Sequence, residues 1–215
     1  ERKSFSRLNY RYRKATDGEH INVLDDSSSK LLLATGTRLD GETSRNTIEK
    51  HTLTQEQFDA LEGVQSAYVN LDDTLEILGY RLGKKSFKRK GKLELEIFYR
   101  VKKVLSKSHQ VFMHIEKPGT SHRILGDHYV MNRSPNGSQK KCVGCYENKH
   151  WMKGDIIVDA YEREIPSSTP SGRQEMWMGF YNPKSKKRLK VKDFDKKSVR
   201  HDGKNRVLIG SFRVR

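Results

Sequence analysis

The chain has little of several things that would declare a function. It holds two cysteines in 215 residues, and only 33% of its residues are hydrophobic. No run approaches the roughly 20 consecutive apolar residues of a membrane-spanning helix, and no secretory leader is visible. No GxSxG turn is present to place a serine nucleophile. No glycine-rich phosphate cradle and no internal repeat occur. A thick core is excluded by the low apolar content. A thin one, two sheets sharing one apolar layer, is not. Two cysteines leave the redox compartment open. The chain begins at Glu1 rather than Met, as expected of a processed chain or a piece of a longer one.

Positive charge is abundant. Lys and Arg number 43 against 27 Asp and Glu, a net of +16. Such a balance favours an anionic partner: nucleic acid, an anionic lipid surface or an acidic glycan polymer. The charge is unevenly spread. Residues 17–78 hold 13 acidic and 4 basic residues, so the rest of the chain carries +25. This asymmetry predicts two units, an N-terminal extension over 1–70 and a larger domain over 71–215.

Residues 1–16 interleave basic residues with Phe5, Tyr10 and Tyr12, as in a solvated first strand, a basic arm or the stretch just outside a membrane helix. Residues 21–24 and 30–35 read as short strands around an Asp-Asp-Ser-Ser turn. Residues 38–51 read as loop. Thr54-Gln55-Glu56-Gln57 has the form of a capping box. With Phe58, Leu61 and Val64 at helical spacing, it predicts one helix of about three turns ending near Gly63.

From residue 73 the period becomes two. Strands are expected over 74–80, 92–101, 109–115, 155–164, 175–181 and 206–214. The second is the clearest, with Leu93, Leu95, Ile97, Tyr99 and Val101 on one face. Turn residues close each segment, and no crossover helices separate them. The expected fold is therefore mainly β, an antiparallel two-sheet β-sandwich of jelly-roll or immunoglobulin-like type, preceded by a small α/β extension.

Each candidate site has a plain structural alternative. Cys142 and Cys145, spaced as CxxC, could hold zinc with His128 and His150. They could equally form a Cys142–Cys145 disulfide or stay as free thiols. Asp127 and His128 could orient one another for acid–base work, or simply finish a turn. Lys84, Lys85, Lys88, Arg89 and Lys90 form one basic cluster, and Lys186, Lys187 and Arg188 lie in a second. Phe87 and Phe194 stand nearby. Nucleic acid would use such residues on phosphates and bases, but neither cluster matches a known nucleic-acid motif, and nucleic acid is the least favoured partner. The alternatives are solvated turns that keep sheet edges from pairing, or docking to an anionic envelope polymer or protein. Trp151 and Trp177 are candidates for a sugar-stacking platform, or for a buried residue between sheets.

The order of pieces over the last two thirds is familiar. Asp73-Thr74-Leu75-Glu76-Ile77-Leu78-Gly79-Tyr80 comes first. Val111-Phe112-Met113-His114-Ile115 and Gly126-Asp127-His128 follow. Trp151 then precedes Gly154-Asp155-Ile156-Ile157 and Ile165-Pro166. Pro170-Ser171-Gly172 and Met178-Gly179-Phe180-Tyr181-Asn182-Pro183 complete the series. This resembles the C-terminal extracytoplasmic β-sandwich of bacterial mannosyltransferase-like, lipid-carrier-dependent membrane glycosyltransferases. The stretch 131–149 departs from that pattern by its length and basic charge, and residues 1–70 match none of it.

The resemblance implies an extracytoplasmic, envelope location, with any glycosyl-transfer chemistry in a membrane domain outside these residues. It carries over no catalytic residue and no cofactor. The expectation is a non-catalytic binding or assembly module with a basic face for an anionic envelope protein or glycan. Its alternative is the soluble part of a membrane glycosyltransferase that contacts glycan or lipid-linked sugar.

Overall fold

A computed structural model describes residues 52–130, 148 and 151–215. The elements expected over 1–51, and Cys142, Cys145 and His150, lie outside the described residues.

Twelve strands and one short helix are described. They are β1 (Thr52–Leu53), α1 (Gln55–Asp59), β2 (Gln65–Leu71), β3 (Leu75–Leu82), β4 (Ser86–Phe87), β5 (Lys92–Val101), β6 (Gln110–Glu116), β7 (Arg123–Leu125), β8 (Ile156–Glu164), β9 (Gly172–Tyr181), β10 (Val191–Phe194), β11 (Arg200–His201) and β12 (Val207–Val214). Sheet A runs β1-β8-β5-β3-β2-β10, and sheet B runs β11-β12-β9-β6-β7. All pairings on these two paths are antiparallel. The added pair of β4 with the end of β12 is parallel. The fold is a mainly β, two-sheet sandwich.

The alternation of β5 sets the layer. Leu93, Leu95, Ile97, Tyr99 and Val101 are all buried and face Val111, Met113, Ile115, Met176, Met178 and Phe180 of sheet B in one core. Tyr99 joins the sheets, edge-on to Phe180 at 5.1 Å between ring centres and stacked on Trp151 at 6.2 Å. Gly210 lets the sheets close, because a Cβ there would overlap the Tyr80 hydroxyl.

Three expectations need correction. The capping box forms, with Gln57 N donating to Thr54 Oγ1 at 3.1 Å and Thr54 N to Gln57 Oε1 at 2.8 Å. The helix it starts is only five residues long, however. Leu61 N donates to Phe58 O and Gly63 takes φ +74°, which turns the chain into β2. Val64 therefore belongs to the approach to a strand. The expected boundary at residue 71 falls inside sheet A, because β2 pairs with β3 on one side and β10 on the other. Residues 52–70 are thus part of the sandwich. Finally, the basic cluster from Lys84 to Lys90, for which a solvated turn is one expectation, contains β4, whose Phe87 is buried edge-on against Phe212.

Candidate functional site

The two sheets hold one polar cluster between them. Period two in β8 places Asp159 in phase with Ile157 and Tyr161, on the inner face opposite Ile97. His128 follows β7 and bridges to Val111. His128 Nε2 meets Asp159 Oδ2 at 2.9 Å, and its Nδ1 meets Gly126 O at 2.7 Å. The Tyr99 hydroxyl donates to Asp159 Oδ2 at 3.2 Å. The Tyr161 ring lies over the imidazole at 4.5 Å between centres.

Burial opposes the charged imidazole, but the Asp159 carboxylate and the hydrogen bond to it outweigh that and raise the His128 pKa. Burial also pushes Tyr99 and Tyr161 up. This is the closer of the two histidine–aspartate pairs among the described residues, and it is sealed. The Asp159 side chain is 0% exposed and that of His128 is 9%. Asp127, the partner expected from the sequence, instead sits 3.9 Å from His114 Nε2 on the outer side.

The outer face of sheet B has the opposite character. Register sets His114 opposite Trp177, Glu116 opposite Glu175, and Phe112 opposite Gly179. Phe112 lies across Gly179, where a Cβ would come within 2.6 Å of the ring. Like charges directly opposite across strands repel, so Glu116 and Glu175 need cations. Glu116 takes Arg206 at 2.6 Å and Arg123 at 2.7 Å. Glu175 takes Arg200 at 2.5 Å and Arg173 at 3.5 Å.

The same guanidiniums cover the rings. Arg206 lies 4.6 Å and Arg200 5.6 Å from the centre of the Trp177 ring. Arg188 lies 4.4 Å from Phe112, and the Lys186 ammonium 5.7 Å from Tyr181. Trp177 Nε1 donates to Glu175 Oε2 at 3.3 Å. Burial lowers the His114 pKa, with Asp127 opposing and Arg123 and Arg206 adding to the effect, so this imidazole is neutral at pH 7. Burial, then Asp127, pushes Tyr181 up to about 12. The result is an aromatic row under an excess of guanidinium, with Trp177 and Tyr181 half-buried and Phe112 buried. It can stack against a planar or sugar ring and donate to an anion.

The sequence candidates separate sharply on this frame. Trp151 is fully buried, so it packs the core and offers no stacking platform. Trp177 is the accessible member of the pair. The two basic clusters do not meet. Arg89 Nε donates to Thr169 O and its Nη2 to Ser171 Oγ, at the Gly172 end of β9. Lys186, Lys187 and Arg188 follow Tyr181 at the other end. Ten residues of strand separate them, about 30 Å. Lys84, Lys85, Lys88 and Lys90 are exposed beside β4, while Phe87 is turned into the core and unavailable to a base.

Both ring nitrogens of His128 are engaged, so the zinc set drawn from the sequence would need His128 to leave Asp159 or Gly126. Arg200, Arg206 and the Glu116–Glu175 pair were not foreseen. The signal for them was weak but present: a carboxylate in phase with Trp177 on one strand, and another in phase with His114 on its neighbour.

No protein-family model and no curated protein matches this chain. Among solved structures it is similar to a Niemann-Pick type C2 protein from Japanese carpenter ant, at 10% identity and a TM-score of 0.39, over 65% of this chain and 91% of that one. A likeness of that size assigns neither family nor ligand.

Proposed function

We propose that this chain is a non-catalytic binding module of the extracytoplasmic envelope, and that it takes an anionic partner, in the first place an acidic glycan polymer, on the outer face of sheet B. The observation that supports this most is Trp177, half-buried between two guanidiniums on an open sheet face. Arg200 and Arg173 beside it keep 62% and 61% of their side-chain surface exposed, and so can reach a carboxylate or sulfate. The non-catalytic half of the reading is supported by the sealing of His128 and Asp159, which a substrate could touch only if the sheets parted. The envelope setting comes from the resemblance, and fractionation of the producing cell tests it.

The binding test is titration with a uronic-acid polysaccharide at physiological ionic strength. Trp177→Ala should weaken binding about tenfold, the worth of one stacking or cation–π contact. Arg200→Ala should lower the salt dependence. Unchanged affinity in both variants would remove this face from consideration. Failure to bind any acidic polysaccharide while retaining an acidic protein would assign the face to the other anionic partner.

A further inference from the structure

The end of the sandwich beyond Tyr181 has a character of its own. Residues 102–109 cross there from β5 to β6, and residues 182–190 join β9 to β10. Asn182 Nδ2 donates to Ser108 O at 3.2 Å and ties the two loops together. Between them they carry eight basic residues and no acidic one. Asn182 also fastens the second loop from within. Its Oδ1 accepts from Lys184 N at 3.0 Å and from Ser185 N at 2.9 Å, and its own N–H donates to Lys187 O. Lys184, Lys186 and Lys187 are thereby displayed to solvent, and none has a carboxylate partner among the described residues.

In the other loop Val104 stands between Lys103 and Lys107 with 47% of its surface exposed. It is one of two large apolar side chains so exposed among the described residues, the other being Leu125 in β7. The opposite basic end, residues 84–92, has neither feature. Its Phe87 is buried, and its Arg89 is spent on Thr169 and Ser171.

An apolar side chain held out among unpaired lysines is poorly suited to water and well suited to a layer with anionic headgroups above hydrocarbon. We propose that this end docks peripherally on an anionic lipid bilayer, with the lysines among the headgroups and Val104 between them. The inference rests on the end of the sandwich rather than on the sheet-B face; Lys186, whose ammonium lies 5.7 Å from the centre of the Tyr181 ring, is the residue the two share.

The test is co-sedimentation of the full chain with phosphatidylglycerol–phosphatidylcholine vesicles and with pure phosphatidylcholine vesicles. Binding is expected to the first alone and to fall as salt rises. Replacing Lys184, Lys186 and Lys187 together by Gln should weaken it about 100-fold, each lysine near such a surface contributing roughly a factor of five. Val104→Asp should weaken it about tenfold. Replacing Lys84, Lys85 and Lys88 by Gln at the far end should change it less than about threefold, and Trp177→Ala not at all. Thermal midpoints close to wild type confirm that the variants fold. Absence of binding to the anionic vesicles, equal loss from the two lysine triples, or an indifferent Val104→Asp would each overturn the proposal. So would retention of acidic polysaccharide, but not vesicles, through Lys184, Lys186 and Lys187.

Discussion

His128 and Trp177 both sit among aromatic rings and opposite charges, one inside the sandwich and one on its outer face. Inside, the imidazole of His128 meets one buried carboxylate, Asp159, which also accepts from Tyr99. Outside, Trp177 lies under two guanidiniums, and four arginines serve the Glu116–Glu175 pair. The chemistry is alike, but the solvent differs. A buried pair is costly to break, because the surviving charge has no water. An exposed pair contributes little to stability, and its cations remain able to exchange one anion for another. Burial therefore makes one site a fastening between the sheets and leaves the other able to bind.

The strongest way to break this contrast is to remove each tryptophan in turn. Trp151→Ala should cost about 3–5 kcal/mol in urea unfolding, the usual range for deleting a buried large aromatic side chain. A cost comparable with that of Trp177→Ala would mean that the two residues are not so differently placed. Asp159→Ala should also lose about 3–5 kcal/mol, since it strands His128. Gly210→Ala should lose about 1–3 kcal/mol by overpacking against Tyr80. Tyr80→Leu should then restore part of that loss, because the overlap is with Cζ and Cε1 of the ring as well as with the hydroxyl. If it restores none, the sheets do not meet there as described.

A subtler effect is in the pH dependence. An unperturbed imidazole titrates near 6.5, and Asp159 raises that of His128 in the folded chain. Folding therefore favours the protonated ring. Its stabilising contribution is whole below about pH 6.5 and is lost as pH rises through the raised folded value. His114 acts in the opposite sense, because burial lowers its pKa and its contribution weakens as pH falls. The informative quantity is the difference in stability between wild type and Asp159→Asn across pH 6 to 8, which should shrink with rising pH. A constant difference would mean that the pair is not charged. The smallest effect is Trp177→Ala on stability, below about 1 kcal/mol in the same urea titration.

How much of this the sequence disclosed depended on segment length. The ten residues of β5 and the seven of β6 alternate long enough to declare themselves, and their inward faces are those expected. β4, β10 and β11 have two to four residues in Lys-rich stretches, too few for a period to register. β2 carries Ala67, Val69 and Leu71 in strict alternation, but the preceding capping box and Val64 carried the helical reading up to its start. The capping box was right about where the helix begins. Its end was set by Gly63 and by the pull of strand pairing, which local propensity does not report.

At the site, His128 was legible as a residue of interest, but its partner lies 31 positions away on β8. A carboxylate in phase with Ile157 and Tyr161 was the available clue. Trp177 was left undecided because a period-two strand has two faces, and only the second sheet settles which of them is covered; Trp151 precedes β8, outside any strand, and has no period to read.

The central claim is that the outer face of sheet B, and not the interior, meets the partner. Iodide quenching of tryptophan fluorescence, with and without a saturating acidic polysaccharide, tests it most directly, using Trp177→Phe to isolate the signal of Trp151. Trp177 emission should be quenched in the free chain and shielded in the complex, while Trp151 stays dark to iodide in both. A polymer that binds yet leaves Trp177 as open to iodide as before would contradict the account.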